Sequence, residues 1–279
     1  MTSPEHAELV RGRLSSGLRR LRTDARLTGT ALAELVGISQ SKLSKVETGM
    51  ALPTVEDVRL IAQETGASAQ TTSELVALAH MLHTSHESTR VILHRGAHRR
   101  QQEISRFEER ARCARNFQIT MVPGQLQTEG YMRGCFPSLP EPEVDAAVAA
   151  RRSRQRILDH PDKEFRFAIA EGAIRWCRGT PGVMAEQVRH LIDLTGRDNI
   201  TLGVIPWRTP VLAQPRHSFY VYDDKFVGIS LHSAYTTLRD PSDVAHYVAL
   251  FDTLHQSCVH DDEARSVLGA ILADYEAMA

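Results

Sequence analysis

The sequence has few cysteines and no long apolar run, and both absences exclude classes of protein. The four cysteines lie far apart among 279 residues and form no CxxC pair, which disfavours a disulfide framework or a zinc ribbon. No apolar run approaches the roughly 18 residues of a membrane span, and the first residues lack the apolar centre of a signal peptide. We therefore expect reduced thiols, no membrane contact and a cytoplasmic protein. The cysteines are Cys113, Cys135, Cys177 and Cys258.

Sequence motifs of catalysis and metal binding are missing too. There is no HExxH, no GxSxG, no GxxxxGK[ST] and no GxGxxG, so the chain shows no signature of a metalloprotease, an esterase or a nucleotide-binding enzyme. Paired aspartates at 223–224 and 261–262 fit turns or caps. The histidine groups lack a fourth ligand or nearby carboxylates, and we interpret them as structural. The sequence therefore predicts no enzyme, no metal and no cofactor. The groups are His80, His83 and His86; His94 and His98; and His255, Cys258 and His260.

Although the net charge of the chain is −1, one segment carries a local surplus of positive charge. Residues 11–50 contain eight basic residues against three acidic ones. Positive charge concentrated on one segment is the footprint expected for contact with DNA phosphates. The basic residues are Arg11, Arg13, Arg19, Arg20, Arg22, Arg26, Lys42 and Lys45.

This basic segment also contains a helix, a glycine and a second helix. The spacing predicts a helix over Gly29–Val36, with the small Ala33 facing the second helix. Gly37 fits the positive φ of a helix end, and Ser39 can cap the next helix. An ordinary pair of packed helices has the same outline, but the flanking arginines favour a helix-turn-helix that binds DNA.

The second helix has a buried side and a polar side. Leu43 and Val46 lie three residues apart and point into the core. The opposite face carries amides, hydroxyls and one ammonium group, which suits the major groove of DNA. The outward residues are Gln40, Ser41, Ser44 and Lys45.

With these residues, Leu14 to about Leu82 resembles the five-helix DNA-binding domain of phage-repressor and Cro-like regulators, the XRE family. The resemblance implies an ion pair between Arg22 and Glu47. It implies base contacts by Gln40, Ser41 and Lys45, and phosphate contacts by Thr28, Lys42 and Thr48. The family commonly has glutamine where this chain has Gly29, so a side-chain contact is lost there. We also expect Arg20 to contact phosphate.

Two further helices complete the first predicted domain, which we place at residues 1–86. Thr54 and Asp57 fit a capping box before an apolar stripe, and Ser68 to His83 fits a fifth helix. Beyond it, His94 to Asn116 reads as a basic amphipathic helix. That helix is either a solvated connection, an extra DNA contact or a partner surface.

The remaining residues, 87–279, predict an α+β domain with a mainly antiparallel sheet. Strands are expected at 117–122, 165–169, 199–206, 219–222 and 226–231, with Asp223 and Asp224 in a hairpin turn. Helices are expected at 125–136, 141–160, around 174, and at 182–196, 242–255 and 263–278. Aromatic residues of this domain fit a core or a small-molecule pocket. They are Trp176, Trp207, Phe219, Tyr220 and Tyr222.

This second part resembles the domain that follows a helix-turn-helix in many actinobacterial regulators. The similar segments are ITMVPGQLQTEGYMR, VMAEQVRHLIDL, NITLGVIPW and DPSDVAHYVALFDTL, and the most specific is VPGQLQT at 122–128. The resemblance implies a sensor or partner-binding module in an antitoxin-like arrangement with a small protein encoded nearby. Relatives usually have an acidic residue near 227–231, which this chain lacks.

We therefore expect a nucleoid-associated regulator that binds double-stranded DNA as a homodimer and represses from a palindromic operator. A small partner protein would control it through the second domain. Two alternatives stay open: a small-molecule sensor, and an antitoxin-like protein whose main role is to bind its small neighbour.

Overall fold

The computed structural model describes residues 4–88, 108–231 and 234–279. The chain divides into two compact units. The first contains Met1–His86 together with Thr236–Asp243, and the second contains Glu87–Tyr235 and Val244–Ala279. The sequence places all of residues 87–279 in the second domain, whereas the short segment Thr236–Asp243 packs with the first.

Five helices form most of the first unit, as the sequence predicts. They are α1 (Pro4–Asp24), α2 (Gly29–Leu35), α3 (Gln40–Glu47), α4 (Val55–Glu64) and α5 (Ala69–His83). The last four begin where a hydroxyl accepts a hydrogen bond from a backbone N–H of the first turn. These capping residues are Thr28, Ser39, Thr54 and Ser68.

The core of the first unit is apolar and follows the helical periodicity of the sequence. Its largest fully buried side chains are leucines and isoleucines contributed by α1 to α4. The polar segment Thr236–Asp243 reaches this unit through Asp240, whose Oδ2 accepts the Val55 N–H at 3.0 Å. The buried leucines and isoleucines include Leu14, Leu18, Leu32, Leu43 and Ile61.

Six helices and seven strands follow in residues 84–88, 108–231 and 234–279. The strands are β1 (Thr84–Ser88), β2 (Cys113–Gln118), β3 (Glu164–Ala170), β4 (Ile200–Ile205), β5 (Phe219–Tyr222), β6 (Phe226–Ser230) and β7 (Ala234–Leu238). The helices are α6 (Glu129–Gly134), α7 (Glu141–Gln155), α8 (Glu171–Arg175), α9 (Pro181–Leu194), α10 (Pro241–Gln256) and α11 (Asp261–Glu276). The described part of the chain contains no helix that is both long and apolar enough to cross a membrane.

The sheet is mixed, and its strand order is β1-β7-β6-β5-β2-β3-β4. Strands β2, β3 and β4 pair in parallel, whereas β5 pairs antiparallel with both β2 and β6. The tight β5–β6 connection uses Asp223 at φ 48°, in the turn that the sequence predicts. The expected class, a helical unit followed by an α+β unit, is confirmed.

Four element predictions around residues 113–160 are wrong in their limits. The helix expected over His94–Asn116 gives way to β2 at Cys113, while residues 94–107 lie outside the described residues. Consequently the strand expected at 117–122 ends at Gln118. The expected helix 125–136 is a 3-10 turn (Gly124–Leu126) followed by α6, and the helix expected to reach residue 160 ends at Gln155. Pairing of β2 on both sides outweighs the local helical pattern.

Candidate DNA-binding surface

Helix α3 presents a continuous polar face to solvent. Leu43 and Val46 are each only 1% exposed and fix the inner side of the helix in the core. The side chains on the other side are exposed to solvent. These exposed residues are Gln40, Ser41, Ser44 and Lys45.

The connection between α2 and α3 is a tight turn with its backbone groups paired. Gly37 has a φ of 69°, which glycine adopts without a Cβ clash. The Ile38 N–H bonds to the Ala33 carbonyl at 3.0 Å, and the Ser39 Oγ accepts the Lys42 N–H at 3.1 Å. Ala33 is 2% exposed, so its small side chain permits the two helices to approach. The turn therefore fixes the angle at which α3 leaves the unit.

A two-bond ion pair holds the end of α3 against α1. Arg22 donates from Nε to Glu47 Oε1 at 2.7 Å and from Nη2 to Oε2 at 2.9 Å. Its third group, Nη1, donates to the Leu27 carbonyl at 2.9 Å. The hydrogen bonds that Arg22 donates to Glu47 raise the pKa of Arg22 above its ordinary value, against the effect of partial burial. This fork geometry orients α3 as well as neutralising charge.

Lys42 lies on α3 but points toward α4. Its Nζ is 2.8 Å from Asp57 Oδ2 and 2.9 Å from Oδ1. Asp57 is buried and also accepts the Thr54 N–H in the capping box of α4. An ammonium group has three N–H donors, so Lys42 keeps donors for a phosphate while it ties α3 to α4.

The two threonines named for phosphate contact differ in how their hydroxyls are used. The Thr28 oxygen accepts the Ala31 N–H, which leaves its own hydrogen for a phosphate oxygen. The Thr48 hydroxyl donates to the carbonyls of Ser44 and Lys45 at 2.9 and 3.2 Å. A hydroxyl has one hydrogen, so Thr48 must rotate before it can donate to DNA. Both residues are exposed.

The segment that contains this polar face also carries exposed basic residues. Of the eight basic residues in 11–50, Arg22 and Lys42 are partly buried and ion-paired, and six are exposed. Gly29 begins α2, and a Cβ placed there would lie 3.9 Å from the Gln40 amide nitrogen. A side chain at position 29 would therefore be in ordinary van der Waals contact with the Gln40 amide. The exposed cations are Arg11, Arg13, Arg19, Arg20, Arg26 and Lys45.

The histidines and aromatic residues noted in the sequence lie partly in the core and partly on the surface. The His83 ring is buried and bonds to the Pro53 carbonyl at 2.7 Å. Among residues 4–88, 108–231 and 234–279, no group of three or more His, Cys, Asp or Glu side chains is arranged to hold a metal ion. Phe219 and Tyr222 are core residues, whereas Trp176 and Trp207 are 58% and 67% exposed.

The basic stretch at the end of α7 is in part buried. Arg154 of α7 is buried and forms an ion pair with Glu108 at 3.0 Å. Glu108 also accepts hydrogen bonds from Gln125 at 2.5 Å and from the Tyr222 hydroxyl at 2.9 Å. Burial raises the pKa of the Glu108 carboxyl, although these three partners lower it. Arg154 therefore serves the core of the second unit, leaving Arg152 and Arg156 exposed on the same stretch.

The motif VPGQLQT at 122–128 is the centre of this buried network. Arg151 donates to the Gln127 side chain, and Gln187 donates to the Leu126 carbonyl and accepts the Thr128 N–H, both at 2.7 Å. The sequence contains a signal for this buried network, because two glutamines and a glycine lie within an apolar segment. From the sequence we infer only a family resemblance from this motif and not its structural role.

Comparison with known families gives two matches. Residues 13–75 match the family described as "Helix-turn-helix domain". Residues 101–270, more than half of the chain, match the family described as "Domain of unknown function (DUF5753)". No curated protein matches the chain.

Solved structures give only distant likenesses. NucT from Helicobacter pylori has a TM-score of 0.35 and 11% identity, and the match covers 64% of this chain and 98% of that one. TrmBL2, described as an archaeal chromatin protein, has a TM-score of 0.34 and 12% identity, covering 72% and 66% respectively. At these scores neither likeness bears on the function of this chain.

Proposed function

The chain belongs to the family described as Domain of unknown function (DUF5753), and from that premise we propose that it is a transcriptional regulator that reads a specific DNA sequence with α3. Its helix-turn-helix domain supports a DNA-binding regulator. The observation that carries the proposal is the exposed polar face of α3, from Gln40 to Lys45, on a helix held from both sides by ion pairs.

In the proposed complex, α3 lies in the major groove, as in the XRE family. The Gln40 amide can bond to both exposed groups of an adenine edge, and Lys45 can donate to guanine. The hydroxyls of Ser41 and Ser44, on shorter side chains, can also donate and accept hydrogen bonds. Phosphates on either side would be contacted by residues that do not discriminate between bases. These residues are Arg20, Thr28, Lys42 and Thr48, together with the backbone at Ser39.

We further propose that the protein is a homodimeric repressor. Two copies of α3 spaced by about one turn of DNA would read two similar half-sites of a palindromic operator. Such binding would place the protein with the nucleoid in the cytoplasm. The second unit would supply regulation by binding a small partner protein, because the described residues of this large α+β unit combine a rigid core with exposed tryptophans.

Genomic DNA capture with the full-length chain tests the DNA proposal. We expect a recurrent two-fold symmetric site, and sedimentation on that site should show two chains per duplex. The matched variants are Gln40→Ala on α3 and Gln70→Ala on α5, both exposed glutamines of the first unit. Gln40→Ala should relax the recurrent site at one base pair of each half-site, and Gln70→Ala should leave the site unchanged. Relaxation in both variants, or in neither, contradicts the proposed surface.

A linkage measurement tests the partner proposal. The small protein that copurifies with the full-length chain would be titrated with and without operator DNA. Because coupling between two binding events is reciprocal, DNA must change partner affinity by the factor, typically 5–150-fold, by which the partner changes DNA affinity. Equal partner affinity with and without operator would remove partner control from the proposal.

A further inference from the structure

The second unit contains a polar cleft that the DNA-binding role does not use. The cleft has a volume of about 580 Å³ and lies along β4, between the α9–β4 connection and the α10–α11 connection. Ligand sites for small molecules typically span roughly 300–1,000 Å³ and contain a few convergent polar groups. The size of the cleft therefore suits a small molecule.

One wall of the cleft is the free edge of the sheet. Strand β4 is the last strand in the order, and it pairs with β3 on one side. On the other side Val204 exchanges two hydrogen bonds with Val259. Because alternate residues of a strand point their backbone groups to the same edge, the N–H and C=O of Leu202 face the cleft. In the described chain no residue pairs with Leu202 on that edge.

A second wall consists of two neighbouring imidazole rings, tilted by 38° relative to each other. The centroids of His255 and His260 are 4.5 Å apart. The His260 Nε2 donates to the His255 carbonyl at 3.3 Å, so in the neutral ring Nδ1 is an acceptor. Within the described residues, His260 Nδ1 and His255 Nε2 are buried and have no hydrogen-bond partner. A buried polar nitrogen without a partner is costly, and a ligand group that bonds to it removes that cost.

Two guanidinium groups line the same cleft. Arg197 bonds through Nη2 to the Leu158 carbonyl and to Asp159. Arg265 bonds through Nε to Thr195 and through Nη1 to Asp262. Each guanidinium has five N–H donors, so both keep donors for an anion. The side chains of these arginines are 36% and 40% exposed, so a ligand can reach them.

Acidic groups on the same lining limit the kind of anion that fits. Asp198 and Asp261 also line the cleft, and they disfavour a ligand that carries only negative charge. The cleft offers cationic donors, carboxylate acceptors and an imidazole acceptor side by side. A matching ligand has at least one anionic group and one hydrogen-bond donor.

We propose that this cleft binds a small organic acid that also carries a hydroxyl or an amino group. The carboxylate lies between Arg197 and Arg265, and the hydroxyl or amino hydrogen bonds to His260 Nδ1. The N–H and C=O of Leu202 bind the remaining polar atoms. This inference does not depend on DNA binding, because every group it uses belongs to the second unit.

Histidine-labelled full-length protein tests the proposal by NMR. The imidazole signals of His255 and His260 are followed while glycolate, malate, citrate, L-serine or L-glutamate is added. Citrate is compared with tricarballylate, which has the same carboxylates without the hydroxyl. Arg197→Gln and Arg265→Gln each remove one proposed contact. Arg189→Gln is the control, since Arg189 is an exposed arginine of α9 that pairs with Glu276 and does not line the cleft.

We expect at least one acid to shift both imidazole signals saturably, and citrate to bind more tightly than tricarballylate. Each of the two cleft variants should weaken binding by roughly tenfold, and Arg189→Gln should not. If one cleft variant does not fold, the other variant and the citrate comparison decide. No saturable shift with any of the five acids overturns the proposal. Equal binding by wild type and both cleft variants also overturns it, because the acid then binds elsewhere.

Discussion

The two units differ in where they bury their polar groups. In the first unit three of the buried polar side chains lie at helix ends: Asp57 caps α4, Asp240 binds the first N–H of α4, and His83 ends α5. In the second unit a group of buried polar side chains forms a network inside the core, in which Glu108 and Arg154 are both almost fully buried.

This difference separates two ways of stabilising a fold. In the first unit, caps and apolar packing stabilise the helices without involving the exposed face of α3. That face is therefore free to bind DNA. The buried network of the second unit depends on every member, because a buried charge without its partner is expensive. Substitutions in this network should therefore be much more harmful than substitutions on the exposed face of α7.

The largest effect is expected for Glu108→Ala. Removing this carboxylate leaves the charge of Arg154 uncompensated in the core, and we expect the free energy of unfolding to fall by about 3–5 kcal/mol. Urea unfolding measures the change. The control is Arg152→Ala, which removes an exposed pair with Glu129 and should cost less than about 1 kcal/mol. Similar losses in the two variants would remove the distinction between buried and exposed pairs.

Arg22→Ala should have the next largest effect. The ion pair with Glu47 is 16% and 10% exposed, so we expect a loss of about 2–3 kcal/mol, somewhat below that for a fully buried pair. Because α3 then loses its orientation, DNA affinity should fall as well. Arg19→Ala, an exposed arginine of α1, is the control for melting. Weaker DNA binding with unchanged melting would show that Arg22 only contacts phosphate.

Asp240→Ala tests whether the segment Thr236–Asp243 stabilises the first unit. The Val55 N–H at the start of α4 then lacks its acceptor, which should cost about 1–3 kcal/mol. Hydrogen exchange at the start of α4 in the full-length chain locates the loss. Asp24→Ala, at the exposed end of α1, should leave that exchange unchanged. Unchanged exchange in Asp240→Ala would place this aspartate outside the unit.

The smallest effect is a pH dependence from the second unit. Burial, with the nearby charges of His260 and Arg166, lowers the pKa of His255 to about 4. As the pH falls from 6.5 toward 4, the unfolded ring gains a proton that the folded ring does not, so stability falls. We expect about 1 kcal/mol, since the ring is only half-buried. Urea midpoints at pH 7.5 and 5 should differ less in His255→Gln than in wild type. An equal difference would contradict the lowered pKa.

Sequence reasoning works best where structure is set locally. The hydroxyl caps, the capping box at Thr54 and the left-handed Gly37 predict α2 to α5 closely, because each depends on residues three or four apart. The sequence predicts residues 113–116 of β2 as the end of a basic amphipathic helix, and it predicts 117 and 118 as strand. The pairing of β2 with β3 and β5 is long-range, and no local signal encodes it.

The candidate site divides in the same way. The exposed face of α3 follows from the burial of Leu43 and Val46, and the sequence alone predicts it. The contact between Lys42 and Asp57 joins two helices, so spacing alone does not reveal it. Asp240 is 185 residues from Val55, and the polar cleft along β4 requires the strand order. Neither the Asp240 contact nor the cleft can be inferred from the sequence, because both depend on long-range contacts.

The most direct test of the central claim, that α3 reads the bases of DNA, is a competition measurement. Wild type and the variants Gln40→Ala and Arg20→Ala would be titrated with operator and scrambled duplexes over a range of salt concentrations. The account predicts that Gln40→Ala loses roughly 1–3 kcal/mol of discrimination at one base pair. It also predicts that Arg20→Ala weakens both duplexes equally and reduces the salt slope by about one. Unchanged discrimination in Gln40→Ala would contradict it.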